Sequence, residues 1–237
     1  MSTASEFRSE ASSKLALDGQ PGPLSAEAHA DSQRILVWDL PVRVFHWSMV
    51  LCFAGAWLSA ESERWRLVHV TLGYTMAGLV AFRLVWGLVG TRYARFANFV
   101  RGPKAIWRYL RSLLGSEPEH TVGHNPAGGL AIVGMLVLTL LVTASGWAVY
   151  EDWGPHLLED LHEGVAEALL VLVALHVAGV AVASVLHHEN LPASMFTGLK
   201  RGSPQDAIRR AWGPLGALML MALAGFWLWQ WLGTNLG

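Results

Sequence analysis

The sequence has little charge and almost no cysteine, and each shortage excludes a class of protein. Only 15% of its 237 residues are Asp, Glu, Lys or Arg, whereas soluble domains carry about 25%. The single cysteine, Cys52, excludes an internal disulfide framework, a cysteine-rich zinc site and an iron–sulfur cluster. No C-x-x-C-H motif occurs, which excludes covalently attached c-type haem. A net charge of -1 gives no indication of a nucleic-acid partner.

Long apolar runs are what the sequence does have. Hydrophobic residues make up 53% of the chain, and a helix needs about 20 of them in succession to cross a bilayer. The predicted spans are residues 44–60, 67–89, 126–150, 161–186 and 211–237. Three tryptophans toward the far end of the fifth span are typical of a membrane-interface belt: Trp227, Trp229 and Trp231. The chain is therefore predicted to be an all-α membrane protein in contact with lipid.

The segments outside the spans predict the orientation. Residues 1–33 are polar and contain no apolar run, so we expect a disordered tail rather than a signal peptide or a spanning helix. Lysine and arginine are concentrated in residues 90–125 and 187–210. Because basic loops stay on the cytoplasmic side, the N-terminus is predicted inside and the C-terminus outside.

Two histidines of the fourth span, His162 and His176, are 14 residues apart. At about 100° per residue they share one helix face, and at ~1.5 Å per residue they are roughly 21 Å apart along the axis. His69 begins the second span at the outer side, and His46 lies near the cytoplasmic start of the first. Depth therefore pairs His69 with His162, the outer pair, and His46 with His176, the inner pair. Each pair can supply two axial ligands to the iron of a non-covalent b haem.

Two arginines lie on the same faces as these histidines. Arg83 is also 14 residues from His69, which places it at the depth of the inner pair, and Arg43 is three residues before His46. A charge inside the membrane needs a partner, and a guanidinium matches a carboxylate such as a haem propionate. Both arginines are therefore candidate cofactor-binding residues.

The same residues have simpler explanations. A histidine in a membrane helix can hydrogen-bond to a neighbouring helix, and Arg83 can extend to the cytoplasmic interface. Glu167 has two possible roles: its side chain can extend to the outer membrane interface, or it can form part of a proton path. Structural or solvated roles are predicted for the histidines in the loops and at the helix end: His120, His124, His187 and His188.

Six motifs together resemble the bacterial cytochrome b561 and Ni-Fe hydrogenase cytochrome b-subunit family. They are WDLPVRVFHW (38–47), VHVTLGY (68–74), FRLVWGLVGTRYARFANFVRGP (82–103), GHNPAGG (123–129), LHEG (161–164) and LHVAG (175–179). The resemblance covers residues 34–200 and implies a four-helix transmembrane bundle that holds two b haems in a bacterial inner membrane. Carried over by position, the four ligands fall on His46, His69, His162 and His176. Residues 211–237 are similar to the C-terminal helix that many members add.

The function predicted from the sequence is electron transfer between quinone and a redox partner in a respiratory chain. The partner is a c-type cytochrome, a dehydrogenase or a hydrogenase, and the chain is an electron-transfer protein or subunit rather than a stand-alone enzyme. Two alternatives remain: a metal or small-solute transporter that uses the histidines as a binding path, and an anchor subunit of a redox complex. The absence of inverted repeats and interrupted half-helices counts against the transporter.

Overall fold

A computed structural model describes residues 33–112, 121–153 and 156–236. Apart from Gln33, the predicted tail of residues 1–33 lies outside the described residues. The elements in chain order are β1 (Gln33–Leu36), α1 (Leu40–Ser59), α2 (Arg66–Val89), α3 (Phe96–Phe99), α4 (Pro103–Ser112), α5 (Pro126–Tyr150), α6 (Leu157–Leu186), α7 (Leu191–Thr197), β2 (Leu199–Gly202) and α8 (Gly213–Leu236).

Five of these helices, α1, α2, α5, α6 and α8, are long and apolar enough to cross a membrane. Their outward faces carry large apolar side chains such as Leu51, Leu88 and Val185, each 71–72% exposed. Apolar faces of this kind are stable only against lipid or another apolar surface. The predicted all-α membrane fold is therefore confirmed.

The bundle is built from two helix pairs. α1 packs on α2 and α5 packs on α6, while α2 joins the pairs by packing on α5. The fifth spanning helix, α8, lies against α1, where Met219 completes a buried apolar cluster with Val44, Cys52, Leu72, Met76 and Leu79. Gly216 permits this approach, since a Cβ atom there would be 2.6 Å from Cγ of Leu40.

Asp39 joins the start of α1 to the end of α2. Its Oδ1 accepts the backbone N–H of Val42 at 2.8 Å, which caps the helix. Its Oδ2 accepts the indole N–H of Trp86 at 3.1 Å and the hydroxyl of Thr91 at 2.5 Å. Only 1% of Asp39 is exposed. Among the described side chains it is the acceptor for all three donors, namely the N–H of Val42, the indole of Trp86 and the hydroxyl of Thr91. The cap also explains why the first spanning helix begins at Leu40 rather than at the predicted residue 44.

A small polar assembly covers one end of the bundle, which we call the basic end. There β1 and β2 pair antiparallel, with Gln33 opposite Gly202 and Leu36 opposite Leu199. Arg92 forms a 3.1 Å ion pair with Asp206, which ties the loop after α2 to the segment after β2. The two segments that the sequence places on one side of the membrane therefore meet at the same end of the structure.

A buried ion pair holds the basic end together. Nζ of Lys200 is 3.3 Å from Glu189, with only 4% and 9% of the two side chains exposed. Lys200 also donates to the backbone carbonyl of Thr121 at 3.4 Å. Burial lowers the pKa of Lys200, while the charge of Glu189 acts to raise it. The lysine thereby fixes the loop before α5 to β2.

Replacing Asp39 by alanine should destabilise the protein. Val42 would lose its cap, and the donors of Trp86 and Thr91 would be buried without a partner, which costs about 2 kcal/mol or more in total. Thermal unfolding in detergent, followed by tryptophan fluorescence, measures the change. The exposed Asp160→Ala is the control, and an equal midpoint for the two variants would contradict the role given to Asp39.

Candidate functional site

The outer pair of histidines forms in the structure. The rings of His69 on α2 and His162 on α6 have centroids 6.1 Å apart and planes inclined by 75°. Because an imidazole nitrogen lies about 2 Å from a first-row metal that it binds, two imidazoles on opposite sides of one iron have ring centres roughly 6 Å apart. The separation therefore suits one iron between the two rings.

The other nitrogen of each ring is already occupied. Nδ1 of His69 donates to the carbonyl of Ala56 on α1 at 2.9 Å, and Nδ1 of His162 donates to the carbonyl of Val142 on α5 at 2.9 Å. A hydrogen bond at one ring nitrogen fixes the tautomer and leaves the other nitrogen to bind a metal. Nε2 is therefore the free ligand atom on both histidines.

The two histidines are held in matching ways by the two helix pairs. Ser59, three residues after Ala56, also donates its hydroxyl to the Ala56 carbonyl at 3.2 Å. Ser145, three residues after Val142, does the same to the Val142 carbonyl, again at 3.2 Å. Each pair of helices thus orients one imidazole.

Glycines leave space around this site. A Cβ atom at Gly146 would lie 2.7 Å from Cε1 of the His162 ring, so only glycine fits there. A Cβ atom at Gly73 or Gly179, each near a histidine on its own helix, meets no atom of another residue within 4 Å. The backbone beside both histidine pairs is therefore open to a large flat group.

The inner pair is arranged differently. His46 on α1 and His176 on α6 interact electrostatically, but the described residues show no contact between their rings. His46 instead packs edge-on against Trp47, with ring centroids 5.0 Å apart. Its Nδ1 is buried without a hydrogen-bond partner among the described residues. The structure brings these histidines to one end of the bundle without joining them.

Arg83 lies inside the bundle at the level of the inner pair. Only 2% of it is exposed, so it does not extend to the interface as one explanation of the sequence required. Its guanidinium lies over the rings of Phe96 and Phe99, 4.8 and 5.8 Å from their centroids. No described carboxylate forms an ion pair with it, and Asp39 interacts with it only at longer range. One guanidinium nitrogen is buried and unpaired in the described structure.

Arg43 has a more limited capacity to bind a ligand. One of its terminal nitrogens donates to the carbonyl of Phe196 at the end of α7. Its Nε is buried and has no hydrogen-bond partner among the described side chains and backbone groups. The arginine therefore fixes α7 against α1 and retains one donor.

His124 was predicted to have a structural or solvated role, and the structure places it beside the inner pair. Its ring packs between Trp38 and Phe99, with centroids 4.6 and 4.8 Å away. Burial lowers the pKa of His124 to about 3, and the positive charges of Arg83 and Lys200 act in the same direction. The imidazole is therefore neutral, and Nδ1 is buried without a partner in the described structure.

The GHNPAGG motif around His124 has a local explanation. Oδ1 of Asn125 accepts the N–H of Gly128 at 2.6 Å and caps α5, with Pro126 in the first turn. A Cβ atom at Gly123 would be 2.6 Å from the Tyr93 ring, and one at Gly129 would be 2.6 Å from the carbonyl of Phe99. Capping and close packing account for the other residues of the motif but not for the histidine.

Comparison with known proteins identifies related sequences. Residues 37–198 match the family model of prokaryotic cytochrome b561. The chain is similar to the probable Ni/Fe-hydrogenase 1 B-type cytochrome subunit of Escherichia coli strain K12, at 27% identity over 141 residues that cover 49% of this chain. The match spans 60% of the Escherichia coli subunit, less than two thirds of its length.

Two further relatives are aligned over more of their length. The probable Ni/Fe-hydrogenase B-type cytochrome subunit of Azotobacter chroococcum is 24% identical over 69% of this chain and 87% of its own. The subunit of the same name from Bradyrhizobium diazoefficiens is 22% identical over 77% of this chain and 95% of its own. No solved structure matches the chain.

The contact at Gly146 predicts a selective variant. Gly146→Ala should displace the His162 imidazole, because the new methyl group would overlap its ring. We expect the variant to bind less haem, measured as pyridine haemochrome per chain. Gly225→Ala on exposed α8, where a Cβ atom meets nothing within 4 Å, is the control. Full haem content in Gly146→Ala would show that His162 does not hold a haem in this position.

Proposed function

Because the chain belongs to the prokaryotic cytochrome b561 family, we propose that it binds two b haems and carries electrons between quinone and a redox-enzyme partner. The family match confirms the resemblance drawn from the motifs. It also identifies the chain as a haem-binding, multi-pass membrane protein of electron transport. The number of haems, their ligands and the two redox partners are the content of the proposal.

The observation that carries the proposal is the geometry of the outer pair. The rings of His69 and His162 are separated as two ligands of one iron require, and both Nδ1 atoms are held by backbone carbonyls. A histidine that served only to join helices would need no second imidazole ring 6.1 Å away. The pair therefore fits a bis-histidine b haem.

The inner pair supplies the second proposed site, with Arg83 and Arg43 as partners of its propionates. Buried donors without acceptors are costly in an apolar bundle, and both arginines have one. The carboxylates of a haem are suitable acceptors, since guanidinium and carboxylate form charge-assisted hydrogen bonds. The side chains present at this end therefore fit an anionic cofactor.

The protein's part in the reaction is placement. Haem iron, once bound, carries one electron by changing between its ferric and ferrous states. His162 and His176 lie on one face of α6, so a single rigid helix sets the spacing between the two proposed sites. The carbonyls of Ala56 and Val142 fix the orientation of the imidazoles of the outer pair.

We assign residues 34–200 to the dihaem domain and residues 211–237 to an additional helix. The basic end is proposed to be cytoplasmic and the outer pair periplasmic, in a bacterial inner membrane. The relatives are named as hydrogenase cytochrome subunits, so a hydrogenase-type enzyme is the proposed redox partner. A c-type cytochrome is the second candidate, since the loop after α5 carries Glu151 and Asp152, both exposed, and could attract a basic protein.

The purified protein should contain two non-covalent b haems per chain. His69→Ala should remove one and His176→Ala the other, each leaving a single haem with a different midpoint potential. Pyridine haemochrome analysis and a redox titration of the visible spectrum measure both quantities. His188→Asn, an exposed histidine at the basic end, should keep both haems. Retention of two haems in His176→Ala would refute the proposed pairing.

Reduced quinone analogues should reduce the haems of the full-length protein in detergent. Stopped-flow absorbance in the haem bands follows the reaction, with a reduced c-type cytochrome as the second donor tested. A chain that dithionite reduces fully but quinol does not would contradict the quinone assignment. Reduction by the c-type cytochrome alone would assign that protein as the partner instead.

A further inference from the structure

The described residues include four buried side-chain nitrogens without a hydrogen-bond partner, and all four lie at the basic end of the bundle. They belong to Arg43, His46, Arg83 and His124. A buried donor or acceptor that is left unpaired destabilises the folded protein. The outer pair shows no such deficit, because both of its Nδ1 atoms are bonded to carbonyls. The clustering indicates that a ligand with several oxygen acceptors completes the basic end.

His124 differs from the other three because it comes from a loop and not from a spanning helix. Its ring contacts the rings of Trp38 and Phe99, each inclined to it by 50°. Trp38 is itself fixed by a hydrogen bond from its indole to Ser194 at 3.3 Å. Phe99 also lies under the guanidinium of Arg83, 5.8 Å away. Phe99 therefore contacts both His124 and Arg83 and positions them relative to each other.

The electrostatics of His124 favour a neutral ring that donates one hydrogen bond. Arg83, Lys200, His46 and His176 all interact with it, and none of them is an acid. Lys200 is already paired with Glu189 at 3.3 Å. A second cation would be repelled from this position, whereas a carboxylate would be attracted by Arg83 and could accept the N–H of His124.

We propose that His124 donates a hydrogen bond from its buried ring nitrogen to the haem propionate bound by Arg83. The proposal rests on the proposed function, since it requires a haem at the inner pair. Together the two side chains form one carboxylate-binding site. The arginine supplies the positive charge, and the hydrogen bond from the histidine orients the carboxylate. His124 is thus a cofactor-positioning residue, which explains why the GHNPAGG motif has a histidine between residues that only cap and pack.

The bond has a measurable consequence for the inner haem. A donor aimed at the propionate offsets part of its negative charge, and removing the donor leaves more negative potential at the iron. Negative potential favours the ferric state, so the midpoint potential of the inner haem falls. The outer haem, about two-thirds of a bilayer core away by the spacing of His162 and His176, should keep its midpoint.

The test compares His124→Phe with His124→Gln in the full-length protein. Phenylalanine keeps a ring between Trp38 and Phe99 but cannot donate, while glutamine keeps an N–H donor without the ring. We expect a lower inner midpoint in His124→Phe and a midpoint near that of the unsubstituted protein in His124→Gln. Arg83→Leu should shift the same haem in the same direction and further. His124→Leu and His124→Asn, which are alike in size, provide a second pair if the phenylalanine variant loses the inner haem.

Four outcomes would overturn the proposal. Unchanged midpoints in both non-donor variants would mean that the ring only packs, and equal shifts in donor and non-donor variants would mean the same. Unchanged midpoints with slower reduction by quinol would assign the acceptor oxygen to quinone rather than to the propionate. A chain with a single haem that depends on His69 would overturn both this inference and the proposed function, whereas two haems with no shift would overturn this inference alone.

Discussion

The structure depends on one constraint, which is that polar side chains inside an apolar bundle must be paired. At the outer pair the protein meets this constraint itself, because the carbonyls of Ala56 and Val142 each accept an Nδ1–H at 2.9 Å. These bonds run between helices, so they also hold α1 to α2 and α5 to α6. One such bond joins each helix pair and leaves Nε2 of its histidine free, so helix packing and ligand orientation are set together.

At the basic end only some of the buried polar side chains are paired within the protein. Asp39 and the Lys200–Glu189 pair satisfy the groups that assemble the end of the bundle. Arg83, which is 2% exposed, rests on aromatic rings, and these offset only part of the cost of a buried charge. The two ends therefore differ in kind: the outer pair has both Nδ1 atoms bonded within the protein, whereas the basic end keeps buried nitrogens without a partner among the described residues. This asymmetry is a physical reason for the two proposed haems to have different midpoint potentials.

Much of this arrangement could be predicted from the sequence. The spans follow from apolar length, and the 14-residue spacing of His162 and His176 follows from helix geometry. The carbonyls that bind His69 and His162 could not be predicted, because every residue has a backbone carbonyl and the residue type does not show which one accepts a hydrogen bond. The pairing of β1 with β2 is four residues long and lacks a turn signal between its strands. For His124 the sequence left open a structural or a solvated role, and its packing against Trp38 and Phe99 favours the structural one.

The geometry also separates the haem hypothesis from metal transport. A transport path needs ligands that release and exchange an ion, and usually a site with three or more donors. The described residues contain no group of three or more His, Cys, Asp or Glu side chains that could hold a metal. The outer imidazoles are instead fixed by carbonyls on neighbouring helices, and Gly146 leaves no room for any larger residue beside His162. Two rigid ligands with open backbone beside them suit a large permanent cofactor, because its own four ring nitrogens supply the remaining donors.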